Sequence, residues 1–253
     1  MLAFFRIFLA AIFIIFTTLF ALVYCTLFKP RDPKHVHFFC RWFNQLQRIV
    51  NVELIHRGQE KIADTPKAVY VSNHQNIFDF VTSPGMLPPR AVSIGKKSLL
   101  WIPFFGQLYW ITGNILIDRE NKSSARNTIQ QVADAIHKRN LSVWMYPEGT
   151  RSKGRGLLPF KTGAFRMAIE AGVPIVPMCV SSVHNKISLS NRDNGIVIAE
   201  MMEPIDVSGY ELKDARELAE HCHRLMEQKI AELDTEVAQL ELARSGDDVR
   251  ISS

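Results

Sequence analysis

Two residues five positions apart, His74 and Asp79, are the side chains of this chain best suited to catalysis. Histidine can act as a general base near neutral pH. A carboxylate on its second ring nitrogen fixes the tautomer and stabilises the imidazolium as it forms. Such a pair can deprotonate a hydroxyl directly. Ser72 is nearby, but no G-x-S-x-G pattern surrounds it, so a seryl nucleophile is not needed. On a regular helix this spacing places the two side chains about 140° apart, so their contact requires a turn that enters a helix. By itself the pair also fits a core histidine beside a helix-capping aspartate.

Further polar blocks follow in order. Gly113-Asn114-Ile115-Leu116-Ile117-Asp118-Arg119 puts an arginine after an apolar run, and Tyr146-Pro147-Glu148-Gly149-Thr150-Arg151-Ser152 puts another after a second one. Arginine presents a planar fork of donors that matches phosphate oxygens. Gly149 lets backbone amides approach an anion, and Glu148 could orient an arginine or bind a polar headgroup. Lys96 and Lys97 precede the apolar stretch 99–105, a combination that suits a lipid head and tail together. Val173-Pro174-Ile175-Val176-Pro177 reads as a tight turn into an apolar strand and a wall for an acyl chain.

The elements that must hold these residues alternate in type. Residues 68–71, 91–94, 115–117, 142–145, 175–180 and 196–199 read as strands, and 124–139 and 162–171 as helices, the second stopped by Gly172. This pattern predicts one α/β domain with a largely parallel or mixed central sheet flanked by helices. Active sites in such sheets gather where strands end, which is where the polar blocks lie. A long amphipathic helix is expected over 211–242, with His221 and His223 solvated, followed by a disordered polar tail over 245–253.

An apolar N-terminal segment precedes this body. Residues 7–28 carry no charge over 22 positions, long enough to cross a hydrocarbon core of about 30 Å as a helix. A cleaved signal peptide is the rival, but bulky Leu27 and Phe28 stand where small residues are needed. Residues 33–51 repeat Val36, Phe39, Cys40, Phe43, Leu46 and Val50 at helical spacing. This segment reads as an interfacial helix, a core helix, or the second arm of a hairpin dipping into one leaflet. The partition is thus 1–52 for membrane anchoring and 53–244 for the body. Lys29, Arg31, Lys34, Arg41 and Arg48 after the apolar run place the body on the cytoplasmic face.

Taken together, the blocks resemble the glycerolipid acyltransferase family, and within it the 1-acyl-sn-glycerol-3-phosphate acyltransferases. The carriers are N-H-x4-D at 73–79, G-x-x-x-I-D-R at 113–119, Y-P-E-G-T-R-S at 146–152 and V-P-I-V-P at 173–177. Leu116 and Met178 depart from the residues common in that family, both as apolar exchanges. The resemblance implies His74 as base and Asp79 as its orienting partner. It also implies that Arg119, Glu148, Gly149, Thr150 and Arg151 shape a glycerol-phosphate site, with Lys97 near the phosphate. The implied donor is an acyl thioester on coenzyme A or acyl carrier protein, the latter a candidate partner. The implied acceptor is lysophosphatidic acid, and the implied product is phosphatidic acid, made at a bacterial inner membrane. Rival readings are an acyltransferase for another lysolipid and a non-catalytic lipid-binding protein.

Composition narrows the classes. With 30 Lys and Arg against 25 Asp and Glu, the net charge is +5, which suits anionic membranes or phosphates. No basic, aromatic-lined recognition motif for nucleic acid is present. The four cysteines lie apart, with no C-x-x-C pair, so reduced thiols, no metal site and no bound cofactor are expected.

Overall fold

The computed structural model describes residues 1–117 and 125–251. Its strands are β1 (Glu53–Arg57), β2 (Val69–Ser72), β3 (Ala91–Lys96), β4 (Ile115–Ile117), β5 (Ser142–Met145), β6 (Ile175–Val180) and β7 (Ile196–Met201). They form one seven-stranded sheet in the order β1-β7-β6-β2-β5-β3-β4. Every neighbouring pair is parallel except β6 with β7, so the sheet is mixed. The central strands β2 and β6 are buried along their whole length. This explains why they read as unbroken apolar runs, because helices cover both faces.

The helices are α1 (Leu2–Leu27), α2 (Lys34–Phe43), α3 (Leu46–Val50), α4 (Asp79–Thr82), α5 (Phe105–Ile111), α6 (Ala125–Lys138), α7 (Gly163–Ala171) and α8 (Ala215–Ile251). On one face, α6, α7 and α8 bury Ile136, Phe165, Leu218 and Met226 in a core shared with Val71, Val143 and Ile175. On the other face, α1, α2, α3 and α5 cover Tyr70, Val176 and Trp144 with Ala21, Phe39, Phe43 and Leu108. The result is a three-layer α/β/α body. α7 ends at Gly172, whose φ of +57° is the left-handed conformation that glycine adopts without steric cost.

Several expectations need correction. β1 was not foreseen, because Glu53-Leu54-Ile55-His56-Arg57 has no continuous apolar run. It is an edge strand, held in place by pairing with β7. The segment 33–51 is two helices with a break at Asn44–Gln45. It supplies core residues Val36, Phe39, Phe43, Leu46 and Val50, so 1–52 is packed into the body. α8 continues to Ile251, so residues 245–251 of the expected disordered tail are helical, and 252–253 lie outside the described residues. Extending a nucleated helix fixes one residue per added bond, and no proline interrupts this stretch. His223 is half-buried, with its ring edge-on to Phe160 at 4.9 Å between centroids.

α1 has 26 residues, about 39 Å of helix, and is long and apolar enough to cross a bilayer. One face is buried on the body through Thr17, Thr18, Ala21 and Cys25. The opposite face exposes Phe4, Phe8, Phe16, Leu19, Val23 and Leu27. Such a continuous apolar surface marks association with a membrane. The buried Arg6 donates to the carbonyls of Leu189 at 3.1 Å and Asn191 at 2.5 Å. Thr18 donates to Phe104 O at 3.2 Å. Rings of α2 line α1, with Trp42 stacked on Phe20 at 5.0 Å and Phe38 on Tyr24 at 5.3 Å. The two form a hairpin lying along the body.

Candidate active site

The parallel neighbours β2, β5, β3 and β4 all point the same way, so their carboxyl ends form one edge. His74 leaves the end of β2, the 146–152 block leaves β5, and Lys96 closes β3. Blocks far apart in sequence are therefore neighbours in space.

The chain after Ser72 turns sharply into the short helix α4, which begins at Asp79. This turn brings the pair together. Asp79 Oδ2 accepts from His74 Nδ1 at 2.5 Å and from the backbone amides of Gln75 at 2.8 Å and Asn76 at 3.2 Å. The aspartate is 3% exposed. An ionised carboxylate only accepts, so Nδ1 carries the proton and Nε2 is left with its lone pair, the form a base needs. The Tyr146 ring stacks on the imidazole at 3.9 Å and 12°. Burial first, and the nearby Asp79 charge second, hold the Tyr146 phenol well above its ordinary pKa, so it stays neutral.

Two motif blocks are stitched together through backbone. Glu148 Oε1 accepts from His74 N at 2.5 Å, and Oε2 accepts from Leu158 N at 3.0 Å. Ser152 N donates to His74 O at 2.7 Å. From the far side, Asn73 makes a two-way amide bond with Val180 at 2.8 and 2.9 Å. Gln75 donates to Ser181 O at 2.9 Å and accepts from Val183 N at 2.8 Å. The histidine is thus carried on a turn pinned on both sides.

Glu148 is 3% exposed. Burial raises its carboxyl pKa, opposed by the two amides that donate to it. Its folded pKa is raised, so the stability it contributes is full below its ordinary pKa. That contribution is lost as pH climbs toward the raised value. Glu148→Gln keeps the shape but supplies one acceptor oxygen where two amides need one each. The substitution is expected to cost about 1–3 kcal/mol, the penalty of one orphaned buried donor. Urea unfolding at neutral pH measures the loss, and a midpoint within error of wild type would show that the two amides find other partners.

Sequence-predicted residues fall into three groups. His74, Asp79, Gly149 and Arg151 line one cleft of about 240 Å³. Lys97 and Thr150 are exposed and do not line it, and Glu148 lies behind it. Arg119 lies outside the described residues. Lys96 takes the cleft position expected for Lys97, because the residue at the carboxyl end of β3 faces the edge while Lys97 already starts a 3-10 turn. The 174–177 segment is no acyl wall: β6 is buried at the sheet centre between β7 and β2. Sequence reasoning also missed Tyr146 as the imidazole's stacking partner. Its place directly before the Pro147-Glu148 pair was the available signal.

An apolar arm continues from the cleft. Phe80, Ser93, Phe105, Tyr109 and Trp144 line both spaces, and Val36, Phe39, Cys40, Phe43 and Leu108 line the arm alone. Chemically, the cleft offers a base, cations for an anion and an apolar arm that runs under α2 and α5.

Comparison with known proteins agrees with this chemistry. Residues 53–181 match the family model described as Acyltransferase. A 1-acyl-sn-glycerol-3-phosphate acyltransferase of Escherichia coli is 54% identical over 96% of this chain and 99% of its own. One of Haemophilus influenzae is 52% identical over 94% and 99%. A crystal structure from Thermotoga maritima, described as the 1-acyl-sn-glycerophosphate acyltransferase PlsC, superposes with a TM-score of 0.74. It has 22% identity and covers 92% of this chain and 94% of its own, which shows a shared fold. The family match, the relatives along nearly the whole chain and the seated His74–Asp79 pair agree: this protein belongs to the acyltransferase family.

Proposed function

We propose that the enzyme transfers a fatty acyl group from an acyl thioester to the sn-2 hydroxyl of 1-acyl-glycerol-3-phosphate, giving phosphatidic acid. One observation carries this reading. His74, held with Nδ1 on Asp79, opens into the same cleft as Arg151 and Lys96 and next to an apolar arm. A base, a phosphate clamp and an acyl channel are what the two substrates require. The names of the relatives support the acceptor.

The step needs no acyl-enzyme. His74 Nε2 takes the hydroxyl proton as the oxygen attacks the thioester carbonyl carbon. Asp79 holds the resulting imidazolium. The tetrahedral intermediate then collapses, the C–S bond breaks, and the thiolate leaves with the proton from His74. Binding both substrates in one cleft at a membrane surface supplies orientation. Either coenzyme A or acyl carrier protein presents the same thioester. Lys29, Arg31 and Lys34 after α1 favour a cytoplasmic body.

One experiment tests reaction and orientation together. Sealed right-side-out vesicles of the host membrane are given an acyl-coenzyme A, which does not cross membranes, and several lysolipid acceptors. Little activity is expected until lysis. After lysis, thiol release and phosphatidic acid should appear in equal amounts, with the highest kcat/KM for 1-acyl-glycerol-3-phosphate. Preference for another acceptor would overturn the substrate assignment, and full activity before lysis would overturn the orientation.

A further inference from the structure

Lys161 follows the 146–152 block by nine residues and belongs to none of the motifs singled out above. Its backbone is fixed against that block, with Lys161 N donating to Pro147 O at 2.9 Å. Phe160 beside it is anchored between Phe165, at 6.0 Å, and His223, at 4.9 Å. From this fixed base the side chain reaches back to Gly149. A Cβ placed on Gly149 would lie 2.8 Å from Lys161 Nζ and 3.0 Å from Cε. Gly149 has a φ of +71°, so the turn itself favours glycine. The lysine supplies a second reason, because any side chain there would displace the ammonium.

Gly149 lines the catalytic cleft with Arg151, so the ammonium of the exposed Lys161 lies against a wall residue of that cleft, while its side chain also lines a second cavity with Phe160, Arg216 and His223. Among the described residues its ammonium has no hydrogen-bond or ion-pair partner. Glu148, the nearest acid in sequence, has both oxygens on backbone amides. An unpaired cation against Gly149, in the wall of the cleft that Arg151 and Lys96 also line, adds to a site for a compact dianion.

We propose that Lys161 is a specificity-determining residue that binds the phosphate of the acceptor, in the space that Gly149 keeps open. This rests on the reaction proposed above. The covalent structure of the acceptor favours it over the donor. Only C2, C3 and an ester oxygen separate the reacting sn-2 oxygen from the phosphorus, so the phosphate must bind close to His74. The phosphates of coenzyme A or of a carrier protein lie at the far end of a long pantetheine arm.

The test uses the full-length, membrane-bound enzyme and the variants Lys161→Met and Lys161→Arg. Methionine keeps an unbranched stem without the charge. For Lys161→Met, the KM for 1-acyl-glycerol-3-phosphate is expected to rise about tenfold, the scale of one charge-assisted contact. Its kcat should stay within about twofold and the donor KM should not move, because the contact is made alike in ground and transition states. Lys161→Arg should recover most of the acceptor KM. An unchanged acceptor KM in Lys161→Met, or a rise in the donor KM alone, overturns the assignment. Wild-type activity separates the two readings. No turnover of 1-acyl-glycerol-3-phosphate overturns both, whereas normal turnover with an unchanged KM in Lys161→Met overturns the role of Lys161 alone.

Discussion

Replacing His74 by alanine is expected to lower kcat by about three orders of magnitude, within the range that a positioned general base contributes. The loss should fall on kcat, because the cations of the cleft and the apolar arm are left in place. Substrate binding should therefore persist. The fold should persist too, since the backbone bonds of residue 74 to Glu148 and Ser152 do not depend on the ring. Removing the ring also uncovers one face of Tyr146 and frees Asp79 Oδ2 of one of its three donors. A modest drop in the thermal midpoint is the expected consequence. The measurement is thioester cleavage and lipid product by the purified variant beside its thermal unfolding. Near-normal turnover by a folded His74→Ala protein would remove the base assignment.

Asp79→Asn is the second large effect. The asparagine side chain is nearly isosteric, and its amide oxygen can take the place of Oδ2, accepting from Gln75 N and Asn76 N and so keeping the turn. What it cannot supply is the negative charge that stabilises the imidazolium in the transition state. With its amide reversed, it would instead present N–H groups to Nδ1 and force the proton to Nε2, the wrong nitrogen for a base. Either way kcat should fall, by about 10²- to 10⁴-fold, as seen when the acid of such a pair is neutralised. KM should change little, because Asp79 lies under the imidazole and is 3% exposed. Steady-state kinetics of the variant decide this. A kcat within about threefold of wild type would show that the carboxylate is structural only, since a working ion pair is worth more. His74→Ala and Asp79→Asn should also be strongly non-additive, because the aspartate acts through the histidine.

The sheet and the main motifs were legible because their causes are local. β5, β6 and β4 are short apolar runs bounded by polar or turn-forming residues, and β-branched residues dominate several of them. Gly172 stops α7 through its own backbone freedom. β1 was hidden for the opposite reason: an edge strand of mixed polarity takes its identity from the strand it pairs with. Similarly, the halves of residues 33–51 share one helical period, and the break at Asn44–Gln45 becomes visible only once α2 and α3 pack against α1.

The amino-acid sequence by itself determined the chemistry on offer: a histidine and an aspartate with the spacing of a turn, arginines after apolar runs and an apolar leader. Residue type sets pKa range, donor geometry and hydropathy, and these can be read without a fold. Only the tertiary structure decided which of those groups meet. It brought Nδ1 of His74 to Asp79 and turned Glu148 out of the cleft onto two amides. It put Lys96 in place of Lys97 in the cleft, and carried Lys161 back to Gly149. The physical reason is that these contacts join segments from the ends of parallel strands. Which strand lies beside which, and where each side chain points, follows from the packing of the whole sheet between its two helical layers.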